Sequence, residues 1–316
     1  MEAAVDAERY SFFRPNISRP PTPRERAALI ARRNRLQASS TSVDAATEHL
    51  RVLADRQPLD NLRVREQFIR LLAPAADVDT SDRSASSRRH RPPCTRLMSG
   101  RGSAIPFLLT ALLEAQSRTA PGHKCHSNTT PLRGHTGAAT GWTEYIATDA
   151  QASANGRTLT TVRDKKIRQI VSSLNRLHSE NLVFLPHRDD PQGKYENFLI
   201  LREDGSPTAD NDAYSVPEHD YFPVPITLFT RGWIHVLEDS ELTLLLITAR
   251  LRHKRGPQLQ PLDATARKLH YGLSRDAFEA GHRMLDYLEI ADVVSDICRS
   301  PRLSGVKFSL FDVYAC

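Results

Sequence analysis

Long apolar runs are missing from this sequence. The two longest, IPFLLTALLEA (105–115) and LTLLLITA (242–249), fall short of the roughly 18 residues a membrane span needs and have the length of buried helices. Cysteine is scarce: Cys94, Cys125, Cys298 and Cys316 lie far apart with no repeating spacing, so neither a disulfide framework nor a zinc module is implied. The start, MEAAVDAERYSFF, is acidic where a secretory signal is basic. The expectation is a soluble cytoplasmic protein with no membrane partner. Lysine is the scarcest charged residue, seven against 36 arginines.

Catalytic signatures are absent too. No G-x-S-x-G occurs, and SGRGS (99–103) lacks the GK[ST] ending and preceding strand of a phosphate loop. Asp189, Asp190 and the acids of 203–220 read as loop carboxylates without paired ligands elsewhere. His123, Cys125, His126 and His135 cluster in one connection, but their spacing matches no compact zinc site. The adjacent His270 and Tyr271 read as packing residues of a short helix. The reading is therefore not an enzyme: no catalytic residue, no metal, no cofactor and no small-molecule substrate.

What the chain does have is positive charge. The net charge is +6 and the pI near 9.3, which favours a polyanionic partner. Arginine suits bidentate contacts to phosphate and guanine. A GC-rich coding genome would also enrich arginine and alanine whatever the function, and composition leaves both explanations open. Hydrophobic content of 40% implies that part of the chain is not packed.

The pattern along the chain divides it into six segments. Residues 1–42 read as a disordered basic tail, and 43–73 as a short helical segment of two helices interrupted near Gln57–Pro58. Residues 74–103, rich in Ser, Arg and Pro, read as a basic linker. A first domain is expected over 104–205, a linker over 206–216, and a second domain over 217–316. In the first, 105–118 is an apolar helix and 142–151 a short second one. Thr160 or Thr161 caps a third, whose stripe is Ile167, Ile170, Val171, Leu174 and Leu177. LVFLP and ENFLILRE are two strands joined by a turn containing Asp-Pro and Gly. In the second, helices are expected over 239–254, over DATARKLHYGL up to Gly272, and from Ser274 onward with Phe278, Gly281, Leu285 and Leu288 inward. ADVVSD and VKFSLFDVY would supply its strands. Helix, helix, helix, strand, strand is thus expected twice.

A helix with a polar outer face backed by a two-stranded ribbon is how winged-helix proteins approach a DNA groove. FTRGWIHVLEDSELTLLLITARL followed by LHYGLSRDAFEAGHRMLDYLEIADVV resembles the winged-helix domains of actinobacterial regulators and replication proteins. The pair of units resembles, in outline, plasmid replication initiators built from two winged helices. The resemblance implies a mainly α fold with small β-hairpins (α+β), two winged helix-turn-helix domains behind a partly disordered helical N-terminal region, and DNA binding as a homodimer. It transfers no individual contact residue.

Charge separates the two candidate reading helices. Between Arg163 and Glu180 five basic residues face two acidic ones, net +3; between Arg275 and Glu289 two face four, net −2. Phosphate contacts dominate affinity, so the first helix is the better reader. Its outward face is expected to hold Arg163, Lys165, Lys166, Arg168, Gln169, Ser172, Ser173 and Arg176, types that meet phosphates and base edges. Arg188 and Lys194 flank the first hairpin turn, and Arg299 and Arg302 the second. Arg267, Lys268 and Arg275 could add phosphate contacts in the second domain. The expectation is a sequence-specific binder of double-stranded DNA, a replication initiator or transcriptional regulator, with helix 161–178 in the major groove. The alternative is a protein–protein interaction module that does not touch DNA.

Overall fold

The computed structural model describes residues 21–56, 59–74, 86–99, 102–126, 128–134, 140–148, 153–155, 158–206, 213–255, 262 and 264–287. They form α1 (Pro23–Asp55), β1 (Asn61–Arg65), α2 (Glu66–Ile69), α3 (Pro93–Leu97), α4 (Ala104–Gln116), β2 (Ser153–Asn155), β3 (Thr158–Thr160) and α5 (Val162–Ser179). The order continues with β4 (Val183–Phe184), β5 (Leu199–Ile200), β6 (Tyr221–Pro225), α6 (Thr227–Thr230), α7 (Trp233–Val236), α8 (Asp239–Arg255), α9 (Ala264–Leu269) and α10 (Arg275–Tyr287). The fold is mainly helical, with two-stranded sheets β1–β6, β2–β3 and β4–β5. That is the α+β class expected.

Contacts divide the chain into two units, each discontinuous in sequence. Among the described residues, unit 1 takes 65–96 and 240–287, and unit 2 takes 21–64 and 97–239. This division differs from boundaries at 205 and 217, because β6, α6 and α7 join α1 and β1 in unit 2.

In unit 2, α1 overturns two expectations. Residues 23–42 are helical rather than part of a loose tail, and one helix runs unbroken to Asp55. The start is fixed by a capping box: Thr22 Oγ1 accepts from the Glu25 N–H at 3.3 Å, and the Glu25 carboxylate accepts from the Thr22 N–H at 2.7 Å. Pro23 sits in the first turn, where its missing N–H costs nothing. The Ser/Thr run that resembled a breaker turns its hydroxyls back onto the helix, Ser39 to the Leu36 carbonyl and Ser40 to that of Gln37. Ala46, Leu50, Leu53 and Ala54 are buried, and α1 packs on α4, α6 and α7. Residues 61–65, expected in a helical segment, form β1 instead, with Leu62 and Val64 buried beside Phe222 and Val224 of its partner β6. Gln116 at the end of α4 extends this pair: its side-chain amide donates to the Arg63 carbonyl at 2.7 Å and accepts from the Arg63 N–H at 3.0 Å.

No helix forms over 142–148. The N–H groups of Trp142 and Thr143 go to the carbonyls of Pro131 and Leu132, and that of Gly141 to the Glu144 carboxylate. Without those donors only a single turn forms, and a hairpin, β2–β3, stands immediately before α5. Trp142 packs in an aromatic cluster with centroids 5.1 Å from Phe107, 5.5 Å from Phe198 and 5.8 Å from Tyr145.

Asp239 is buried in unit 2, one carboxylate oxygen accepting from the Ser99 N–H at 2.8 Å and the other without a hydrogen-bond partner. Burial raises its pKa to about 6, with Glu238 adding to the shift. The folded form holds a proton that the unfolded chain releases near 3.8, so this group's contribution to stability falls as pH rises from about 4 to 6. His235 acts in the opposite sense: burial, with Lys166 nearby, lowers it to about 4, so its contribution is lost as pH falls from 6.5. Asp239→Asn should therefore stabilise unit 2 above pH 6 by about 1–3 kcal/mol and hardly at pH 4. Both tryptophans, Trp142 and Trp233, belong to unit 2, so melts followed by their fluorescence between pH 4 and 8 measure this directly. A gain of equal size at pH 4 and pH 8 would refute the assignment.

Unit 1 holds three helices in the expected order. α8 is buried along Glu241–Ala249. α9 ends at Gly272, whose φ of +61° favours glycine and whose absent Cβ lets the Arg91 side chain approach. The Ser274 hydroxyl caps α10 by accepting from the Ala277 N–H at 3.2 Å. Phe278, Gly281 and Leu285 face inward as expected, with Gly281 against the Ser240 carbonyl. Part of the expected linker packs as well: Ser86, Cys94, Thr95 and Leu97 are buried. Leu288, ADVVSD, VKFSLFDVY, Arg299 and Arg302 lie outside the described residues.

Candidate nucleic-acid interface

Thr161 fixes the start of α5. Its hydroxyl accepts from the Asp164 N–H at 3.1 Å, and the Asp164 carboxylate accepts from the Thr161 N–H at 3.2 Å. Hydrogen bonds from the Thr161 hydroxyl and backbone hold the Asp164 carboxyl below its ordinary value. Ile170, Leu174 and Leu177 bury the inner stripe, and α5 packs on α4. The antiparallel ribbon follows at once, pairing Val183 with Ile200 and Phe184 with Leu199.

This packing divides the expected contact residues. Arg163, Arg168 and Ser172 are exposed, and Lys165, Gln169 and Arg176 half-exposed. Two others turn inward. Ser173 is buried, its hydroxyl donating to the Gln169 carbonyl at 3.0 Å and meeting the Ser103 hydroxyl at 2.7 Å. Lys166 donates to the Thr143 carbonyl at 3.0 Å, and burial lowers its pKa. Their register explains it: 166 and 173 stand four before and three after Ile170, on the buried stripe. The Arg163 guanidinium donates to the Gly134 carbonyl.

Arg188 and Lys194 are exposed on the ribbon's loop. This loop is anchored at several points. Tyr195 meets Asn175 of α5, and the Glu196 carboxylate accepts from the Leu132 N–H at 3.2 Å. His187 contacts Asp190 at 2.8 Å. Two surface residues were missed by sequence reasoning. Arg133, more than half exposed, stands 3.8 Å from Asp164 at the start of α5. Asn175 is exposed on the stripe of Arg168 and Ser172. Spacing of i, i+4, i+7 from Arg168 was the available signal for Asn175; Arg133 had none. The helix start of α1 adds exposed Arg24, Arg26 and Arg33 to unit 2.

In unit 1 the expected contacts are not presented. Arg267 is buried, donating to the Leu273 carbonyl at 2.6 Å and lying 6.0 Å from the Phe278 ring centroid. Lys268 is buried on the same short helix. Arg275 pairs with Glu279 at 3.0 Å and stays partly exposed. A polar residue on a short helix was read as solvated, whereas α9 is covered on the side carrying both cations.

Among the described residues no group of three His, Cys, Asp or Glu converges as metal ligands. His123 contacts the Pro121 carbonyl at 3.0 Å, and burial raises the Cys125 thiol's pKa; His135 lies outside the described residues. No described helix is long and apolar enough to cross a membrane. No family model, curated protein or solved structure matches the chain.

Proposed function

We propose that the protein binds double-stranded DNA in a sequence-specific manner, as a replication initiator or transcriptional regulator acting as a homodimer, with α5 as the reading helix. One observation carries the reading: the outer face of α5 is exposed and basic, and is backed by the β4–β5 ribbon. Asp164, the helix's single acid, is engaged by its own cap and by Arg133. In a winged-helix interpretation β4–β5 is the wing, and α8, α9 and α10 are the helices of a second such domain. Binding is then dominated by phosphate contacts from Arg163, Arg168, Arg133, Arg188 and Lys194. The second reading, a protein-binding face without DNA contact, is favoured by Phe184, an exposed aromatic on the ribbon.

Mobility-shift titrations over a range of salt separate the two. DNA binding gives an affinity that falls steeply with salt, and Arg168→Ala should reduce the log–log slope by about 1. Failure to retard any duplex at low salt would overturn the proposal. Sedimentation of the free and DNA-bound protein tests the dimer.

A further inference from the structure

We propose that Asn175 is the specificity-determining residue of the α5 face, held by Tyr195 to recognise an adenine in the major groove. The inference rests on the DNA-binding reading above and deepens it. Asn175 is exposed on the outer stripe that begins at Arg168 and passes through Ser172. Its amide is oriented by one neighbour. Nδ2 donates to the Tyr195 hydroxyl at 3.1 Å, and that hydroxyl points back to Oδ1 at 3.4 Å.

Tyr195 is itself fixed. The next residue, Glu196, binds the Leu132 N–H through both carboxylate oxygens and takes its own N–H to the Gly193 carbonyl at 2.9 Å. Phe198, two residues further, is fully buried, and its carbonyl accepts from the Asn128 N–H at 3.0 Å. A loop anchored on both sides of Tyr195 holds the hydroxyl against the amide edge.

Orientation matters because an amide presents one donor and one acceptor side by side. With one edge held by Tyr195, Asn175 retains an N–H on Nδ2 and a lone pair on Oδ1. Adenine offers the matching pair in the major groove, an acceptor at N7 and a donor at N6. Guanine offers two acceptors, N7 and O6, so one would face Oδ1 without a hydrogen. The arginines of the face bind phosphate on any sequence and cannot supply this discrimination.

Selection from a randomised duplex pool by the full-length protein, followed by titration of single-base variants, tests the proposal. The wild type should prefer adenine at one position by about tenfold to a hundredfold. Asn175→Ala should bring that preference close to onefold with the salt slope unchanged. Tyr195→Phe should weaken the preference several-fold, again without altering the slope. Arg168→Ala should do the reverse, lowering the slope and keeping the preference. An Asn175→Ala protein that still binds DNA with the wild-type base preference would overturn the inference and leave DNA binding by α5 standing. A wild type that retains no duplex would remove both, and the Arg168→Ala titration shows which has failed.

Discussion

Replacing Trp142 by alanine is expected to lower the stability of unit 2 by about 2–4 kcal/mol. Two effects oppose each other here. Deleting a buried aromatic ring costs about 3–5 kcal/mol, and this ring contacts Phe107, Tyr145 and Phe198 at the centre of the unit. Against that, the indole N–H is buried without a hydrogen-bond partner, and its removal returns about 1–3 kcal/mol. The cavity outweighs the relief, because the ring is 1% exposed and three other aromatics close around it. Trp142→Phe separates the terms: it keeps most ring contacts and drops the N–H, so it should lie within about 1 kcal/mol of wild type. Urea unfolding followed by the fluorescence of Trp233 measures both. The same substitution should affect the interface. The residue before it, Gly141, leaves no room for a Cβ beside Arg133 and Gly134, and Trp142 N–H holds the Pro131 carbonyl. That short segment presents Arg133 and gives Arg163 its acceptor. An alanine variant as stable as wild type would show that the aromatic cluster is not the core of unit 2.

Local signals carried the helices and the ribbon. The Thr161 capping box, the Ser274 cap, the apolar run of α4 and the Asp-Pro/Gly turn between β4 and β5 all act within a few residues. So did the capping box of α1, Thr22 with Glu25, but the prolines before it and the serines after it outweighed it in the reading. Pairing between β1 and β6 had no local signal. Its partners are far apart in the chain, and each segment is only five residues long. That pairing draws β6, α6 and α7 into unit 2, so the unit boundaries were hidden with it. Within the site, residue type misled where geometry would have served. Lys166 and Ser173 were placed outside for being polar, although their spacing from Ile170 sets them on the buried stripe. Arg267 shows the limit of charge counting: a buried carbonyl, that of Leu273, gives a guanidinium a reason to face inward.

In unit 1 the largest loss should come from Glu66→Ala. The Glu66 carboxylate accepts from Arg250 Nε at 3.0 Å, Arg250 Nη2 at 2.8 Å and Lys254 Nζ at 2.6 Å. Removing one partner of a buried ion pair costs about 3–5 kcal/mol, chiefly because the other charge is left without compensation. Arg250 is 11% exposed and keeps only the Tyr271 hydroxyl at 3.1 Å among these contacts, whereas Lys254, 43% exposed, can rehydrate. The lower end, about 3 kcal/mol, is therefore expected. Burial by itself would raise the Glu66 pKa, but hydrogen bonds from Lys254 and Arg250 bring it below the ordinary 4.5. A depressed carboxylate stabilises the fold above the unfolded value and loses that contribution as pH falls through the folded one. Unit 1 should accordingly weaken with acid below pH 4.5 in the wild type, and Glu66→Ala should remove that branch while lowering the plateau. Cys94, buried in unit 1 beside the Thr243 hydroxyl, supplies the probe. Its thiol labelling, resolved by mass spectrometry, should accelerate about a hundredfold at neutral pH in the alanine variant, the equivalent of about 3 kcal/mol. Unchanged labelling of Cys94 would mean that the Glu66 contacts are replaced by water at no cost, and that α8 is held in unit 1 by its apolar residues alone.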